Sequence, residues 1–434
     1  MSDWTFEELQ KWDDKICQLS EDYNLDWHPI TYEVCDYYEM IGHMSYHGMP
    51  SHYQHWSYGK SFERTHQMYN LGAEGLPYEL IINSNPSIAY LMKQNPAYLQ
   101  ILIMAHCVGH SDFFKNNRMF KNTRPESVTT RFRNARKRIQ EYSENTNIGL
   151  DRVETLLDVL HSVRFQTERY GRPRLSKKEI RENVVNMINQ DPSKRKDFSL
   201  DKKLLQPDYD FLGFLIDYGE HFEDWEKDII GIVRDESHYF IPQIKTKIIN
   251  EGWASFWHYK LMHELDLPQK YHLPFLKTHN LVVRPHMGSI NPYHIGFYLF
   301  NKIEREMGLE ECFLIRETHD DESAIRCYLD MEDFRELNLF SYSAKKKDIT
   351  VDEVSDVDGW KLVRNDFLKN VGANGIPHIY VSDISPNGTL ILQHDHDGRD
   401  LELDYAEIVV DNISQLWPNN VKFYTVVEDE LWEI

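Results

Sequence analysis

His106-Cys107-Val108-Gly109-His110 sets two imidazoles four residues apart. On an α-helix, positions i and i+4 lie on one face, so both rings can reach a single metal ion. The stretch around them, AYLQILIMAHCVGHSDFFKNN, is apolar on nearly every side, so this helix is expected to be buried. A ring buried without a partner costs on the order of 1–3 kcal/mol. A metal would satisfy both rings; buried carboxylates are the other answer.

A carboxylate of the right kind stands in Asn250-Glu251-Gly252-Trp253-Ala254-Ser255-Phe256-Trp257-His258. Pro242 and the apolar spacing of Ile244, Ile248 and Leu261 place Glu251 inside a helix, where Ile244, Ile248, Glu251, Ser255 and His258 share a face. Gly252, Ala254 and Ser255 are small enough for another helix to pack closely. Two readings follow: a metal held by His106, His110 and Glu251, or a buried His–carboxylate network that only ties helices together. Zinc suits two His and one carboxylate with an open fourth position; iron and manganese accept similar donors.

The His spacing is that of the HExxH zincins, and gluzincin-type peptidases take their third ligand from a Glu on a later helix, some within an EGWA string. Cys107 stands where the zincin Glu would be. A thiol is a poor replacement, being shorter and having an ordinary pKa of roughly 8.5. A hydrolase also needs a group that moves protons. His258, Glu236 and Asp112 are the catalytic candidates. Each has a plainer alternative: cap or ion-pair partner for Asp112 and Glu236, hydrogen bonding behind a ligand for His258. Trp56, Trp253 and Trp257 would line a cleft or fill the core. Cys107 as nucleophile is weighed against a buried structural Cys.

The elements that must carry these residues can be read from periodicity and punctuation. Asn95-Pro96 opens the HxxxH helix, with Asn as cap and Pro in the first turn. Ahead of it, 3–24 reads as an amphipathic helix, 26–36 as extended and 78–83 as a strand. The His-rich stretch holding His43, His47, His52, His55 and His66 reads at its start as a loop, because of Gly42, Gly48 and Pro50. Asn85-Pro86 should open a short helix. Residues 150–166 form a helix, 171–208 an exposed and partly disordered insert, and 209–266 further helices. A His- and Pro-rich loop is expected over 268–290, then a helix from Asn291-Pro292 that Gly308 ends.

After about 311 the pattern changes to short alternating runs: ECFLIRET, HIYVSDI, TLILQHD, LELDYAEIVV and VKFYTVV. Asn387-Gly388 and Asp397-Gly398 are hairpin signals. Helices are expected at 331–337, 359–370 and 405–416, and His394 and His396 should be exposed beside a turn. The expected architecture is a mostly α N-terminal domain, 1–310, with a zincin-like (gluzincin-type) helical core and the insert at 171–208. A small α+β C-terminal domain follows at 311–434.

Net charge is −22, which repels the phosphate backbone and disfavours general nucleic-acid binding. The local run Arg131, Arg133, Arg136, Lys137, Arg138 reads as a solvated helix face or as a docking stripe for an acidic partner. Five scattered Cys give no disulfide framework. The N-terminus lacks the basic and apolar regions of a signal peptide, and no apolar run is long enough for a membrane span. A cytoplasmic protein is expected.

Five blocks, GMPSHYQHWSYGKSFE, YELIINSNP, AHCVGHSDFFKNN, PQIKTKIINEGWASFWH and INPYHIGFYLFNKIE, occur in the order found in the stage V sporulation protein R family. The chain resembles that family over about 26–308 and, less sharply, beyond. The resemblance implies that the missing zincin Glu at Cys107 is a family trait. It also implies a cytosolic role in stress response, sporulation and spore cortex or envelope adaptation. The partners it suggests are a serine protein kinase and a von Willebrand A-type protein. It supplies no established reaction, so a metal-dependent amide hydrolase and a pseudoenzyme adaptor both stand as expectations.

Overall fold

Thr5 and Glu8 form a reciprocal capping box that starts α1 (Phe6–Asp22). A computed structural model describes residues 3–49, 51–70, 79–191, 200, 202–286, 289–345 and 348–434. The chain then runs through β1 (Ile30–Cys35), α2 (Tyr37–Ser45), α3 (Trp56–Asn70), β2 (Glu79–Ile82), β3 (Ser87–Met92) and α4 (Ala97–Asn116). Next come α5 (Val128–Glu144), α6 (Leu150–Val163), α7 (Lys177–Gln190), α8 (Phe211–Tyr218), α9 (Asp224–Lys245) and α10 (Lys247–Glu264). They are followed by α11 (Gln269–Val282), α12 (Pro292–Met307), α13 (Leu309–Thr318), α14 (Asp321–Tyr328) and α15 (Met331–Glu336). The remainder is β4 (Phe340–Lys345), β5 (Asp348–Val354), α16 (Trp360–Lys369), β6 (Ile379–Ile384), β7 (Leu390–His394), α17 (Leu403–Leu416), β8 (Val421–Val427) and β9 (Glu430–Glu433). The fold is mostly helical with a small sheet near the C-terminus.

Contacts group the chain into two compact units, each built from two segments: Met1–Lys137 with Pro242–Gly372, and Arg138–Ile241 with Ala373–Ile434. The first unit holds a three-stranded sheet in the order β1-β3-β2, with β1 parallel and β2 antiparallel to β3. Its core centres on α4, α10 and α12, where Ile101, Ile103, Val108, Trp253, Trp257, Leu299 and Phe300 are fully or almost fully buried. The second unit holds the sheet β6-β7-β8-β9. There Asn387-Gly388 turns β6 into β7, with Gly388 at φ 88°, a conformation that costs a glycine little.

Several expectations are corrected. Asn85-Pro86 opens no helix: the next residues form β3, whose backbone is taken up by pairing with β1. The start of the His-rich stretch is helical, because Asp36 and Glu39 form a capping box and Gly42 lies inside α2. The loop expected at 268–290 is α11 over most of its length; residues 287–288 lie outside the described residues. Pro274 lies inside the helix and removes one backbone hydrogen bond, and the buried Phe275, Thr278 and His279 hold the helix in place.

Within 171–208, Ser176 and Glu179 cap α7, and positions 192–199 and 201 lie outside the described residues. ECFLIRET is helical, in α13. Asp397-Gly398 closes no hairpin: β7 and β8 are parallel and α17 is their crossover. His394 is buried, its Nδ1 3.0 Å from Thr425 Oγ1. Among the described residues no helix is long and apolar enough to cross a membrane.

Candidate metal centre

The site is built where α10 is held between α4 and α12. A Cβ on Gly109 would lie 2.7 Å from Ala254 Cα, and one on Gly252 would lie 2.4 Å from the Gly296 backbone. Only glycine permits both approaches. The small residues flanking Glu251 therefore bring its carboxylate to the His106–His110 face of α4.

Both helix starts are capped from a distance. Pro96 itself is the N-cap of α4 and offers no side-chain bond, so the expected Asn95 cap is displaced by one residue. The Ala97 N–H donates instead to Asp3 Oδ1 at 2.8 Å. Thr246 makes no side-chain cap on α10; the N–H groups of Ile248 and Ile249 donate to the two oxygens of Asp321, each at 2.9 Å. Ile244 belongs to α9, so the helix carrying Glu251 begins later than its apolar spacing indicates.

Glu251 Oε2 lies 3.3 Å from His110 Nε2 and 3.6 Å from His106 Nε2. A second carboxylate, Glu79 at the start of β2, places Oε1 3.6 Å from His106 Nε2. Ligand atoms of Glu79, His106 and His110 all lie within 4.8 Å of one another. These separations are long for hydrogen bonds. His106 Nε2 and Glu251 Oε2 are buried and, among the described residues, have no hydrogen-bond partner.

The other ring nitrogens are anchored. His110 Nδ1 is 2.9 Å from Asn250 Oδ1, which can only accept, so Nδ1 carries a proton and Nε2 faces the cluster. His106 Nδ1 is 2.8 Å from His258 Nδ1, and His258 Nε2 is 2.8 Å from His279 Nδ1.

Electrostatics reinforce the picture. Burial alone would raise Glu251, but the charge of His110, with that of His106, holds it well below the usual carboxylate range. Burial would lower His110, and the Glu251 charge outweighs that and raises it. Burial raises Glu79, opposed by His106. Tyr293 stacks at 6.2 Å from His106; burial, then the charges of Glu251 and Glu79, push its phenol well above its ordinary value. Two imidazoles and two carboxylates, partly unpaired and out of water, suit a divalent cation.

Residues 3–376 match the family described as SpoVR like protein. The chain belongs to the SpoVR-like family. It is 32% identical over 479 aligned residues to a protein of Escherichia coli (strain K12) named uncharacterized protein YcgB, covering 98% of this chain and 93% of that one. No solved structure matches it.

In this SpoVR-like chain the remaining candidates have other surroundings. Asp112 accepts the Asp26 N–H and the Trp253 indole N–H, each at 2.8 Å, and lies 3.4 Å from Arg316. Burial pushes its pKa up to about 6 against the pull of Arg316. Its hydrogen bonds fasten α4 to Trp253 and to the segment ahead of β1. Trp253 and Trp257 are wholly buried and Trp56 is about half exposed, so the first two fill the core and do not line a cleft. Glu236 is buried on α9 in the second unit. Cys107 is buried, and burial drives its thiol far above the normal range. His43 stacks on Tyr90 at 3.9 Å.

Four residues of the site escape sequence reading: Glu79, Asn250, His279 and Tyr293. Glu79 offers a faint signal, an acid heading the apolar run ELII, but nothing in spacing ties it to His106.

Proposed function

We propose that this SpoVR-like protein is a divalent-metal-dependent hydrolase of zincin-like architecture, acting on an amide bond in peptides or peptidoglycan fragments. The observation that carries the reading is the convergence of buried, unpaired His106 Nε2 and Glu251 Oε2 with Glu79. His106, His110 and Glu251 would hold the metal, zinc by preference, and Asn250 and His258 would orient the two rings. A bound zinc would supply Lewis-acid polarisation of the scissile carbonyl. Glu79, raised by burial, takes the proton-accepting role that Cys107 cannot fill and for which His258, Glu236 or Asp112 is the sequence's candidate. Tyr293, kept neutral, donates to the carbonyl oxygen as charge develops there. The cellular setting is cytoplasmic, in spore cortex or envelope adaptation.

A second reading, a pseudoenzyme adaptor, is favoured by the buried thiol at 107 where a zincin keeps a carboxylate. In that reading residues 311–434 bind a serine protein kinase or a von Willebrand A-type protein.

Elemental analysis of untagged protein purified without chelator, beside His106→Ala and Glu251→Gln, tests the centre. About one equivalent of metal, lost in both variants, is expected. A folded wild type that takes up no zinc, iron or manganese would overturn the hydrolase reading and leave the adaptor. With metal bound, Glu79→Gln should keep the metal and lose amide hydrolysis.

A further inference from the structure

His106, His258 and His279 come from α4, α10 and α11, and their rings form one unbroken line. His106 Nδ1 meets His258 Nδ1 at 2.8 Å, and His258 Nε2 meets His279 Nδ1 at 2.8 Å. All three rings are almost completely buried, at 3%, 1% and 2% exposure. Two of the three lie outside the set that would touch a metal.

We propose that His258 and His279 are positioning residues of the centre: metal binding at His106 sets the proton-bearing nitrogen of all three rings, and His279 anchors that order. This rests on the metal reading above. A nitrogen that ligates a metal bears no proton, so a neutral His106 bound through Nε2 carries its proton on Nδ1. His258 Nδ1 must then accept, which puts the His258 proton on Nε2. His279 Nδ1 must accept in turn, which puts its proton on Nε2.

Without metal, the carboxylates of Glu251 and Glu79 favour a proton on His106 Nε2, and the line runs the other way: His279 Nδ1–H donates to His258 Nε2, and His258 Nδ1–H donates to His106 Nδ1. The change balances. The His106 Nε2 proton leaves, one proton crosses each of the two hydrogen bonds, and His279 Nε2 takes one up. Each ring holds a single proton before and after.

Two features support a directional line. Each N···N gap, at 2.8 Å, holds a single proton, so the rings on either side of it must play opposite roles. The His279 ring is also gripped by Tyr259 at 4.7 Å and Phe297 at 4.8 Å, which resists the ring flip that would exchange its nitrogens.

The test uses full-length protein and zinc alone. Imidazole 15N spectra of wild type should show the His279 proton on Nδ1 without zinc and on Nε2 with one equivalent. His279→Phe keeps the ring packing and removes the acceptor; His279→Asn keeps an acceptor near the Nδ1 position. Zinc affinity should fall about tenfold or more in the first and stay within about threefold in the second. Circular dichroism checks that both fold, and the wild-type spectra stand without either variant. Zinc bound with the His279 tautomer unchanged, or His279→Phe binding as wild type does, would overturn the relay and leave the metal reading intact. A wild type that binds no zinc would overturn both.

Discussion

Glu251 and Asp210 are carboxylates turned into the interior, one in each unit, with opposite surroundings. Asp210 Oδ1 accepts from Thr167 Oγ1 and the Gly213 N–H, each at 2.9 Å. Its Oδ2 accepts from Arg234 Nε at 2.9 Å and Nη2 at 2.5 Å. Arg174 stands 3.6 Å away and forks onto Asp208 at 2.8 and 2.9 Å. Burial would raise Asp210, but the hydrogen bonds and charge of Arg234 hold it below its ordinary value. Around Glu251 the neighbours are imidazoles and another carboxylate. The Asp210 cluster carries its own cations and is complete as structure. The Glu251 cluster has donor atoms left over. That difference separates a structural ion pair from a site.

The comparison breaks most visibly at Asp210. Asp210→Ala leaves Arg174 and Arg234 without their shared partner and should cost about 3–5 kcal/mol in denaturant unfolding, with or without metal. A loss below about 1 kcal/mol would mean the cluster is not a closed structural unit. Zinc then sharpens the contrast. At free zinc one hundred times the dissociation constant, wild type should gain about 2.7 kcal/mol, and so should Asp210→Ala. Glu251→Gln should gain almost nothing. An equal gain in Glu251→Gln would place zinc elsewhere.

How far the sequence carried these two clusters follows from distance along the chain. The His106–His110 pair is local, set by the helical repeat, so it could be read directly. Glu251 could be found because small residues on its own helix announce a close crossing. Glu79 and His279 could not: each reaches the site through tertiary packing, from a strand and from a helix whose Pro274 reads as loop. The Asp210 cluster was invisible for the same reason: Arg174, Asp208 and Asp210 sit in or beside a stretch that reads as exposed insert, and Arg234 reaches them from α9. Helices with strong caps or periodicity, such as 3–24 and 150–166, were legible. After 311 the runs HIYVSDI, TLILQHD and VKFYTVV are strands as read, and helices form near 331–337, 359–370 and 405–416; ECFLIRET was misread, because a run of eight residues fits either period until its partners are known.

Acid should affect both units alike, which limits the comparison to metal chemistry. Burial, with the charge of His263, brings His279 to about 4 in the first unit; burial, with Arg169, brings His378 to about 4 in the second. Unfolded His titrates near 6.5. As pH falls from 6.5 to 4 the unfolded chain takes up protons that the folded chain refuses, so stability falls by up to about 1.4 kcal/mol per pH unit for each group. Below 4 these groups add no further loss, and above 6.5 they add no slope. Unfolding free energies from pH 7 to 4 should flatten in part in His378→Gln. An unchanged slope would mean that His378 is not held neutral.

Cys107 gives the smallest expected effect. Its thiol is buried beside the site, and burial, then the charges of Glu79 and Asp13, keep it protonated. A thiol in that state is neither a nucleophile nor a ready ligand. Cys107→Ala should therefore cost about 1 kcal/mol of packing and change zinc affinity by less than about twofold. Iodoacetamide should label the exposed Cys327 in the native protein and spare Cys107 until the protein unfolds. Rapid native labelling of Cys107, with loss of zinc or of hydrolysis, would move the sulfur into the centre. The donor set would then have to be redrawn around it, with Glu79 returned to a supporting place.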